Sequence, residues 1–374
     1  SDTAGEKEKE NLMKKKIVSA LLCVAMIATM VTGCGGSKSS STSGNADSTA
    51  KQFEINAAIA ANPPALDPHT VNANVTGAIG IHIYEALFQM DENYEPQPVL
   101  AESYEMSDDG KEYTIKLRQG VKFHNGDEMK ADDVVASMNR WMELSPKAKT
   151  LIGGSVFEKV DDYTVKLTVN EPSSDIIMVL ASPIQFAAIY PKSVVDSASD
   201  EGVKEYIGTG PYKVAEWKQD QYVKLEKNED YQPAEGKSSG LAGAKNAQAD
   251  TITFNIVTDT ATRIAGVQNG QYDIAEDIPA DQYKDLATDK NLTMDVRSGG
   301  TLNLFLNTTE GVMADEKVRQ AALAALNCDD ILMASYGDAD LYKLNAGWCN
   351  PDDAQWGTEA GSEYYNQNDV EKAK

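Results

Sequence analysis

The chain has 374 residues, 41% hydrophobic and 25% charged, which is the composition of a globular protein long enough for more than one domain. The 58 acidic and 34 basic residues give a formal net charge of −24. This charge argues against nucleic acid as a partner, and against attachment to anionic lipid by charge alone. The acidity itself identifies no ligand.

Cysteine and histidine are too few and too scattered for a zinc site of the usual kind. The four cysteines form no CxxC pair, and no two histidines have helical ligand spacing: Cys23, Cys34, Cys328, Cys349, His69, His82 and His124. We therefore predict no metal and no cofactor. In an exported protein, Cys328 and Cys349 are equally compatible with a disulfide and with two free thiols.

The pattern that begins at Met13 is typical of a lipoprotein signal peptide over residues 13–33. Three lysines, Lys14–Lys16, precede fifteen largely apolar residues, a stretch shorter than the roughly 20 residues of a transmembrane helix. Small residues then lead to Cys34, whose thiol would carry the diacylglycerol. We predict export and anchoring to the outer face of the cytoplasmic membrane; the alternative is an N-terminal membrane anchor with an incidental cysteine.

The segments on either side of this signal are polar. Residues 1–12 are charged and precede Met13, so we interpret them as an upstream extension. Residues 34–51 are rich in Ser, Thr and Gly, cannot bury a core, and are predicted to form a flexible tether.

From Phe53 onward the patterns predict alternating strands and helices. Residues 112–118 alternate strictly between apolar and polar, and residues 163–169 do the same, so both are predicted to be half-buried strands. Amphipathic spacing predicts helices over 131–142, 259–269 and 318–326. The fold class is therefore mixed α/β.

One long segment closely resembles the hallmark of a known family. Residues 102–140 (ESYEMSDDGKEYTIKLRQGVKFHNGDEMKADDVVASMNR) match the family 5 extracellular solute-binding proteins of ABC importers, the oligopeptide, dipeptide and nickel group. Further motifs of that family follow the same order along the chain: Leu66-Asp67-Pro68-His69, Tyr84-Glu85-Ala86-Leu87, Gly208-Thr209-Gly210-Pro211-Tyr212, Asn228-Glu229-Asp230-Tyr231, Asn269 to Ile274, Val318 to Ala322, and Tyr365 to Lys374. The resemblance extends from about residue 53 to the end.

The resemblance implies a type II periplasmic-binding-protein-like fold with two lobes and an extra domain. Residues 52–89 and 205–275 would form domain I, residues 90–204 the extra domain II, and residues 276–374 part of domain III, the second lobe. Family members continue beyond Lys374, so we expect the second lobe to be incomplete in this chain.

Family position also suggests ligand-binding residues. Asn72, Ala73 and Asn74 match a segment that meets the ligand backbone; the alternative is a loop that caps a helix. Glu276 and Asp277 lie at the crossing between lobes, where a carboxylate would hold a cationic amine; the alternative is a pair of solvated charges.

Two further candidates lie in the second lobe. Thr301, Asn303 and Phe305 alternate after Gly299-Gly300, which predicts a strand with one face on the cleft, although core packing explains Phe305 equally well. Trp348 is a candidate cleft residue. Its segment is similar to one that holds an amine-binding aspartate in oligopeptide-binding members, but in the wrong order along the chain, so we interpret that likeness as chance.

These features predict a monomeric protein that captures short peptides or peptide-like solutes and delivers them to ABC permease subunits. Alternative solutes are a glycoside or a nickel chelate, although the arginine expected near residues 180–188 in the nickel-binding branch is absent. A surface receptor or sensor lipoprotein on the same fold is the alternative from another class. We predict no enzyme, because the Gly-x-Ser-x-Gly match at 236–240 lies in a polar insert with every histidine upstream.

Overall fold

The structure is a computed structural model that describes residues 52–199, 201–297, 300–347, 349 and 357–374. The predictions for the signal peptide, Cys34, the tether and Trp348 lie outside the described residues. Within the described ranges, no helix is both long enough and apolar enough to cross a bilayer.

Eleven strands and ten α-helices follow one another along the described chain. The strands are β1 (Glu54–Ile59), β2 (Phe88–Met90), β3 (Pro96–Pro98), β4 (Ala101–Met106), β5 (Glu112–Leu117), β6 (Val156–Asp161), β7 (Thr164–Thr168), β8 (Tyr212–Lys218), β9 (Tyr222–Lys227), β10 (Thr251–Ile256) and β11 (Ile274–Ala275). The helices are α1 (Asn74–Ile83), α2 (Ala131–Leu144), α3 (Pro146–Ile152), α4 (Ile176–Leu180), α5 (Lys192–Asp196), α6 (Thr260–Gln268), α7 (Tyr283–Ala287), α8 (Glu316–Ala325), α9 (Cys328–Tyr336) and α10 (Val370–Ala373). Short 3₁₀ turns lie at Ala280–Gln282, Val312–Ala314, Ala339–Leu341 and Ser362–Tyr364.

A five-stranded sheet with the order β11-β1-β10-β9-β8 organises the first core. Strand β1 lies parallel to β10 and β11, while β9 runs antiparallel to both of its neighbours, β10 and β8. We call the side chains buried around this sheet the first cluster; they come from residues 57–86 and 186–254, and include Ile59, Ile83, Tyr190, Val223 and Phe254. Because β1, β10 and β11 are parallel, their carboxyl ends meet at one edge of the sheet.

A four-stranded antiparallel sheet with the order β4-β5-β7-β6 organises the second core. In β5 the alternation is as predicted, with Tyr113, Ile115 and Leu117 buried on one face. The amphipathic helix predicted over 131–142 is confirmed as α2, which packs against β6 and β7 and buries Met138 and Trp141. We call this core, which spans residues 87–189, the second cluster.

Residues 276–374 bury far less apolar surface. Among the described residues of this stretch, only Leu286 and Ala324 are buried hydrophobics. The prediction of a strand over 301–305 is wrong: no strand forms there, and Leu302, Leu304 and Phe305 are 64%, 67% and 78% exposed. Alternation alone does not make a strand when no neighbouring strand supplies hydrogen bonds.

The cysteine alternatives are also resolved for the described chain. Cys328 and Cys349 are both free thiols, and both are half-buried.

Candidate functional site

The carboxyl ends of the parallel strands converge on Glu276 and Asp277. Both residues directly follow β11, whose Ile274 and Ala275 pair with Ala57 and Ala58 of β1. The Glu276 backbone N–H continues this ladder by donating to the Ala58 carbonyl at 3.2 Å. The chain therefore leaves the five-stranded sheet at the edge where open parallel sheets hold their ligands.

The Glu276 carboxylate is half-buried and has one oxygen available. Its Oε1 accepts a hydrogen bond from the Ala60 backbone N–H at 3.2 Å, while Oε2 has no partner among the described residues. Burial raises the pKa of Glu276, and the neighbouring Asp277 carboxylate adds to this, while the Ala60 N–H and the Arg263 charge act in the opposite direction. A partly desolvated carboxylate with a free oxygen is suited to accept a cationic N–H donor.

Sequence reasoning missed the residue that holds this edge together. Arg263, on α6, is 2% exposed, and all five of its N–H groups are used. Four backbone carbonyls and one hydroxyl accept them: Glu276 O (3.1 Å), Val257 O (2.8 Å), Thr258 O (3.0 Å), Asp277 O (2.9 Å) and Thr260 Oγ1 (3.3 Å). The signal in the sequence was a single arginine in a helix otherwise made of small, apolar and uncharged residues.

Asn72, Ala73 and Asn74 lie together at the start of α1. Ala73 is the N-cap residue of that helix and has no side chain that can accept a hydrogen bond. The three residues line a hollow of about 230 Å³, which Pro183 and Gln185 also line. Among the described residues, neither Glu276 nor Asp277 lines this hollow, so the two candidate sets do not share it.

Thr301, Asn303 and Phe305 lie on an exposed, irregular segment rather than on the face of a strand. The Asn303 amide bonds locally to Thr301 Oγ1 at 2.9 Å. None of the three lines the hollow beside α1. Core packing of Phe305, the alternative interpretation, is also wrong, because its side chain is largely exposed.

The quoted family motifs meet in buried polar networks, the first around Asp67. The Arg140 guanidinium contacts the Asp67 carboxylate at 2.7 Å, and the Tyr190 hydroxyl donates to it at 2.8 Å. Arg140 also contacts His69 Nδ1 at 3.0 Å, while His69 Nε2 faces the Ala188 carbonyl at 2.9 Å. This network joins the first motif to the last residue of the hallmark segment, across both clusters.

The charges in this network fix its protonation states. Burial raises the pKa of Asp67, but the hydrogen bonds from Arg140 and Tyr190 and the charge of Arg140 outweigh it, so the pKa is lowered. Burial is also the main reason that the pKa of His69 falls to about 3. With Arg140 donating to Nδ1, the neutral ring carries its proton on Nε2.

A second network brings three more motifs together around the buried Glu85. The Thr209 hydroxyl donates to Glu85 Oε2 and the Tyr231 hydroxyl to Oε1, both at 2.9 Å. A Cβ at Gly208 would lie 2.1 Å from the Ile83 carbonyl oxygen, so this close approach to the end of α1 requires glycine. The motifs that carry the family resemblance are thus largely structural.

Within the described residues, no group of three or more His, Cys, Asp or Glu side chains is arranged to hold a metal ion.

Comparison with known families identifies the family to which this sequence is similar. A sequence model described as bacterial extracellular solute-binding proteins, family 5 Middle, matches residues 95–374. The chain belongs to this family. The predicted family membership and the mixed α/β, periplasmic-binding-protein type of fold are therefore confirmed.

Named relatives and solved structures agree with this membership. The glutathione-binding protein GsiB of Salmonella paratyphi A is 34% identical over 288 residues, which are 76% of this chain and 54% of GsiB. The binding protein AgaA from A. tumefaciens R10, solved with agropinic acid, is similar with a TM-score of 0.70 and 28% identity, over 86% of this chain and 62% of AgaA. The ABC transporter substrate-binding protein CtaP from Listeria monocytogenes is similar with a TM-score of 0.69 and 26% identity, over 86% of this chain and 64% of CtaP. The chain thus spans about half the length of the curated relatives it matches.

Proposed function

We propose that this protein is the solute-capturing component of an ABC importer and that its solute is a short peptide or a peptide-like molecule. Membership of the family 5 solute-binding proteins carries the proposal, because every part of the chain from residue 95 onward matches that family. The similarity to GsiB supports a peptide-like solute, since glutathione, which GsiB is named for binding, is a tripeptide. The protein binds its solute and passes it to permease subunits as a monomer, without catalysis.

Glu276 is the residue to which we assign the amine of the solute. Its free Oε2 lies at the carboxyl ends of three parallel strands and is partly desolvated, so an ammonium group there would gain more than it would in water. We further propose that Asn72, Ala73 and Asn74 bind the solute backbone from the start of α1, beside the hollow that they line. Asp277, Thr301, Asn303, Phe305 and Trp348 complete the proposed cleft residues.

Titration calorimetry of the purified chain with glutathione, dipeptides and tripeptides tests this assignment. Glu276→Gln is expected to weaken binding of an amine-bearing solute by about tenfold or more, because a hydrogen bond to a charged group is worth about 1.5–3 kcal/mol. N-acetylation of the same peptide should produce a similar loss in the unaltered protein. Glu171→Gln, at an exposed glutamate, is the matched control and should leave the affinity unchanged.

The outcomes separate the solute classes. Binding of a nickel chelate or a glycoside, with no binding of any peptide, would replace the peptide assignment by one of these alternatives. Equal affinity of Glu276→Gln and the unaltered protein for free and acetylated peptides would remove Glu276 from the site.

Export and anchoring are a separate part of the proposal. We propose that residues 13–33 are cleaved and that Cys34 carries a diacylglycerol group. Residues 34–51 then form a flexible tether between the lipid and the folded part of the chain. Cys34→Ser should abolish the lipid mass on the mature N-terminal peptide and release the protein from the membrane fraction. An unmodified Cys34 in membrane-bound protein would contradict it.

A further inference from the structure

The Arg263 guanidinium is a buried cation that no carboxylate neutralises directly. Among the described residues it forms no ion pair within 4 Å, and its partners are four carbonyl dipoles and a hydroxyl. A buried charge is costly unless it is well solvated by protein groups, so such a residue is retained for what it holds in place. Because all five N–H groups are used, Arg263 has no donor left for a solute.

The carbonyls that it binds belong to two segments on opposite sides of the guanidinium. Val257 and Thr258 follow β10, while Glu276 and Asp277 follow β11. These strands lie on either side of β1 in the sheet. Arg263 therefore ties together the carboxyl ends of the strands that flank β1, at the point where the chain leaves the sheet.

The backbone directly after β11 has an uncommon conformation that these hydrogen bonds stabilise. Asp277 has φ of 53°, a left-handed conformation that non-glycine residues rarely adopt. The bond from Arg263 to the Asp277 carbonyl, at 2.9 Å, fixes the peptide that follows this residue. The bond to the Glu276 carbonyl, at 3.1 Å, fixes the residue whose carboxylate is available.

Arg263 also acts on the Glu276 carboxylate through its charge. The charged groups that influence Glu276 are Arg263, which favours the ionised carboxylate, and Asp277, which opposes it; the Ala60 N–H supplies the remaining polar contact. Burial, together with Asp277, outweighs the Ala60 N–H and the Arg263 charge, so the pKa of Glu276 is raised above its ordinary value.

We propose that Arg263 is the positioning residue of the solute site: it fixes the backbone of Glu276 and Asp277 at the carboxyl ends of the strands, so that the free Glu276 oxygen is held where a cationic group of the solute can bind it. The solute role of Glu276 rests on the function proposed above, whereas the effect of Arg263 on Glu276 does not. The two parts can therefore be tested separately.

The effect on Glu276 is measured first, without any solute. The pH midpoint of the Glu276 side-chain carboxyl is followed by carbon-detected NMR, with Glu276→Gln used to assign the signal. Arg263→Met, which removes the charge and every donor, should raise this midpoint, because the carboxylate loses both the Arg263 charge and its fixed position beside the Ala60 N–H. Arg263→Lys, which keeps the charge but not the planar guanidinium, should raise it less.

Arg118 offers a matched control. Its guanidinium binds three backbone carbonyls, those of Val99, Gln232 and Pro233, none of which belongs to β10, β11 or the residues that directly follow them. Arg118→Met should leave the Glu276 midpoint unchanged. If Arg263→Met does not fold, as judged by circular dichroism, Arg263→Gln replaces it with the same expected direction.

Solute binding is then measured with glutathione and with trialanine. Arg263→Lys should weaken binding by about tenfold at pH 7, mainly through faster dissociation, because geometry is lost while charge is kept. Arg263→Met should in addition raise the pH below which solute binding is lost. An unchanged Glu276 midpoint in Arg263→Met overturns the inference, whether or not any solute binds. Failure of the unaltered protein to bind either probe or any peptide would instead count against the proposed function and leave the midpoint result standing.

Discussion

Residues 52–275 and residues 276–374 contain similar kinds of elements but differ in what those elements bury. The first region packs two sheets and their helices into two clusters, in which side chains such as Ile115 and Trp141 are fully buried. In the second region, α8 and α9 form with correct caps, yet Val318, Leu323, Ile331 and Met333 remain 37–45% exposed. Local signals are therefore enough to define a helix in this chain, whereas burial depends on partner surfaces that only the first region provides within the described residues.

This difference predicts where stability resides. Burial of apolar area is the main favourable term in folding, so the cooperative unfolding transition should report on residues 52–275. Residues 276–374 should contribute little to it and should exchange their amide hydrogens sooner. Four substitution and pH experiments test this division, in order of expected effect.

Arg140→Met should have the largest effect. It leaves the Asp67 carboxylate buried without its cation, and breaking a buried pair in this way costs about 3–5 kcal/mol of unfolding free energy. Urea denaturation followed by circular dichroism measures this. Lys166→Met, which removes an exposed ion pair with Glu112 at 3.2 Å, should cost less than about 1 kcal/mol. Equal losses for the two variants would contradict the structural role of the network.

A pair of leucine substitutions compares the regions directly. Leu117 is 1% exposed in the second cluster, and Leu117→Ala should lower the unfolding free energy by about 2–5 kcal/mol. Leu304 is 67% exposed, and Leu304→Ala should change it by less than about 0.5 kcal/mol. A loss of several kcal/mol for Leu304→Ala would show that residues 276–374 fold with the rest.

Between pH 7 and 5, protonation of histidines should destabilise the first region, because all three histidines lie there. Burial lowers the pKa of His69 to about 3 and that of His124 to about 4, and in both rings one nitrogen faces a donor and the other a carbonyl. The unfolded chain binds protons to both below about pH 6.5 while the folded chain does not. Stability should therefore fall as the pH decreases from about 6.5 towards 4, because each histidine takes up its proton only on unfolding.

Urea titrations at pH 7, 6 and 5 measure this slope. His82 packs edge-on against Tyr212 and at a tilt against Phe254, and burial lowers its pKa to about 4, so it adds to the slope with the same sign. The ionised Asp67 carboxylate stops contributing to the free energy of unfolding only as the pH falls below about 3.9, which is outside this window. A stability that stays constant between pH 7 and 5 would contradict the neutral, buried state of His69.

Removal of a helix-capping side chain is expected to change the unfolding free energy least, and it compares one helix from each region. Asp259 accepts from the Thr262 N–H at 2.8 Å at the start of α6, and Asp315 accepts from the Lys317 N–H at 2.8 Å at the start of α8. Asp259→Ala should cost about 1 kcal/mol in the main transition. Asp315→Ala should leave that transition unchanged and affect only amide exchange within α8. Equal effects on the transition would remove the distinction between the regions.

The sequence correctly predicted those elements whose residue pattern is matched in the structure by a paired strand or a packing surface. Alternation located β5 and β7, and amphipathic spacing located α2 and α6, because each is paired or packed along its length. The same alternation at 301–305 failed because a strand depends on hydrogen bonds from another strand, which residue types do not record. The domain boundaries and the ligand-contact roles of the candidate residues remain predictions.

The candidate site shows a similar limit. Glu276 was found through its position in the family pattern, but its free oxygen and its desolvation depend on β1, which lies more than 200 residues earlier. Arg263 was missed because its partners are backbone carbonyls, and these are present at every position of every sequence. The link between Asp67 and Arg140 was missed although both residues were quoted in motifs, since no local pattern relates residues 73 positions apart.

The pairing of β1 has a consequence for the order in which the molecule assembles. Glu54 of β1 faces Thr251 of β10, and the whole second cluster is encoded between the two strands. At about 5–20 residues per second, β1 leaves the ribosome roughly 10–40 s before its partner does. The inserted second cluster, built from one continuous segment, is free to fold in that interval, whereas β1 waits with its backbone donors and acceptors open to other chains. The earliest strand of the described chain is thus among the last to be completed.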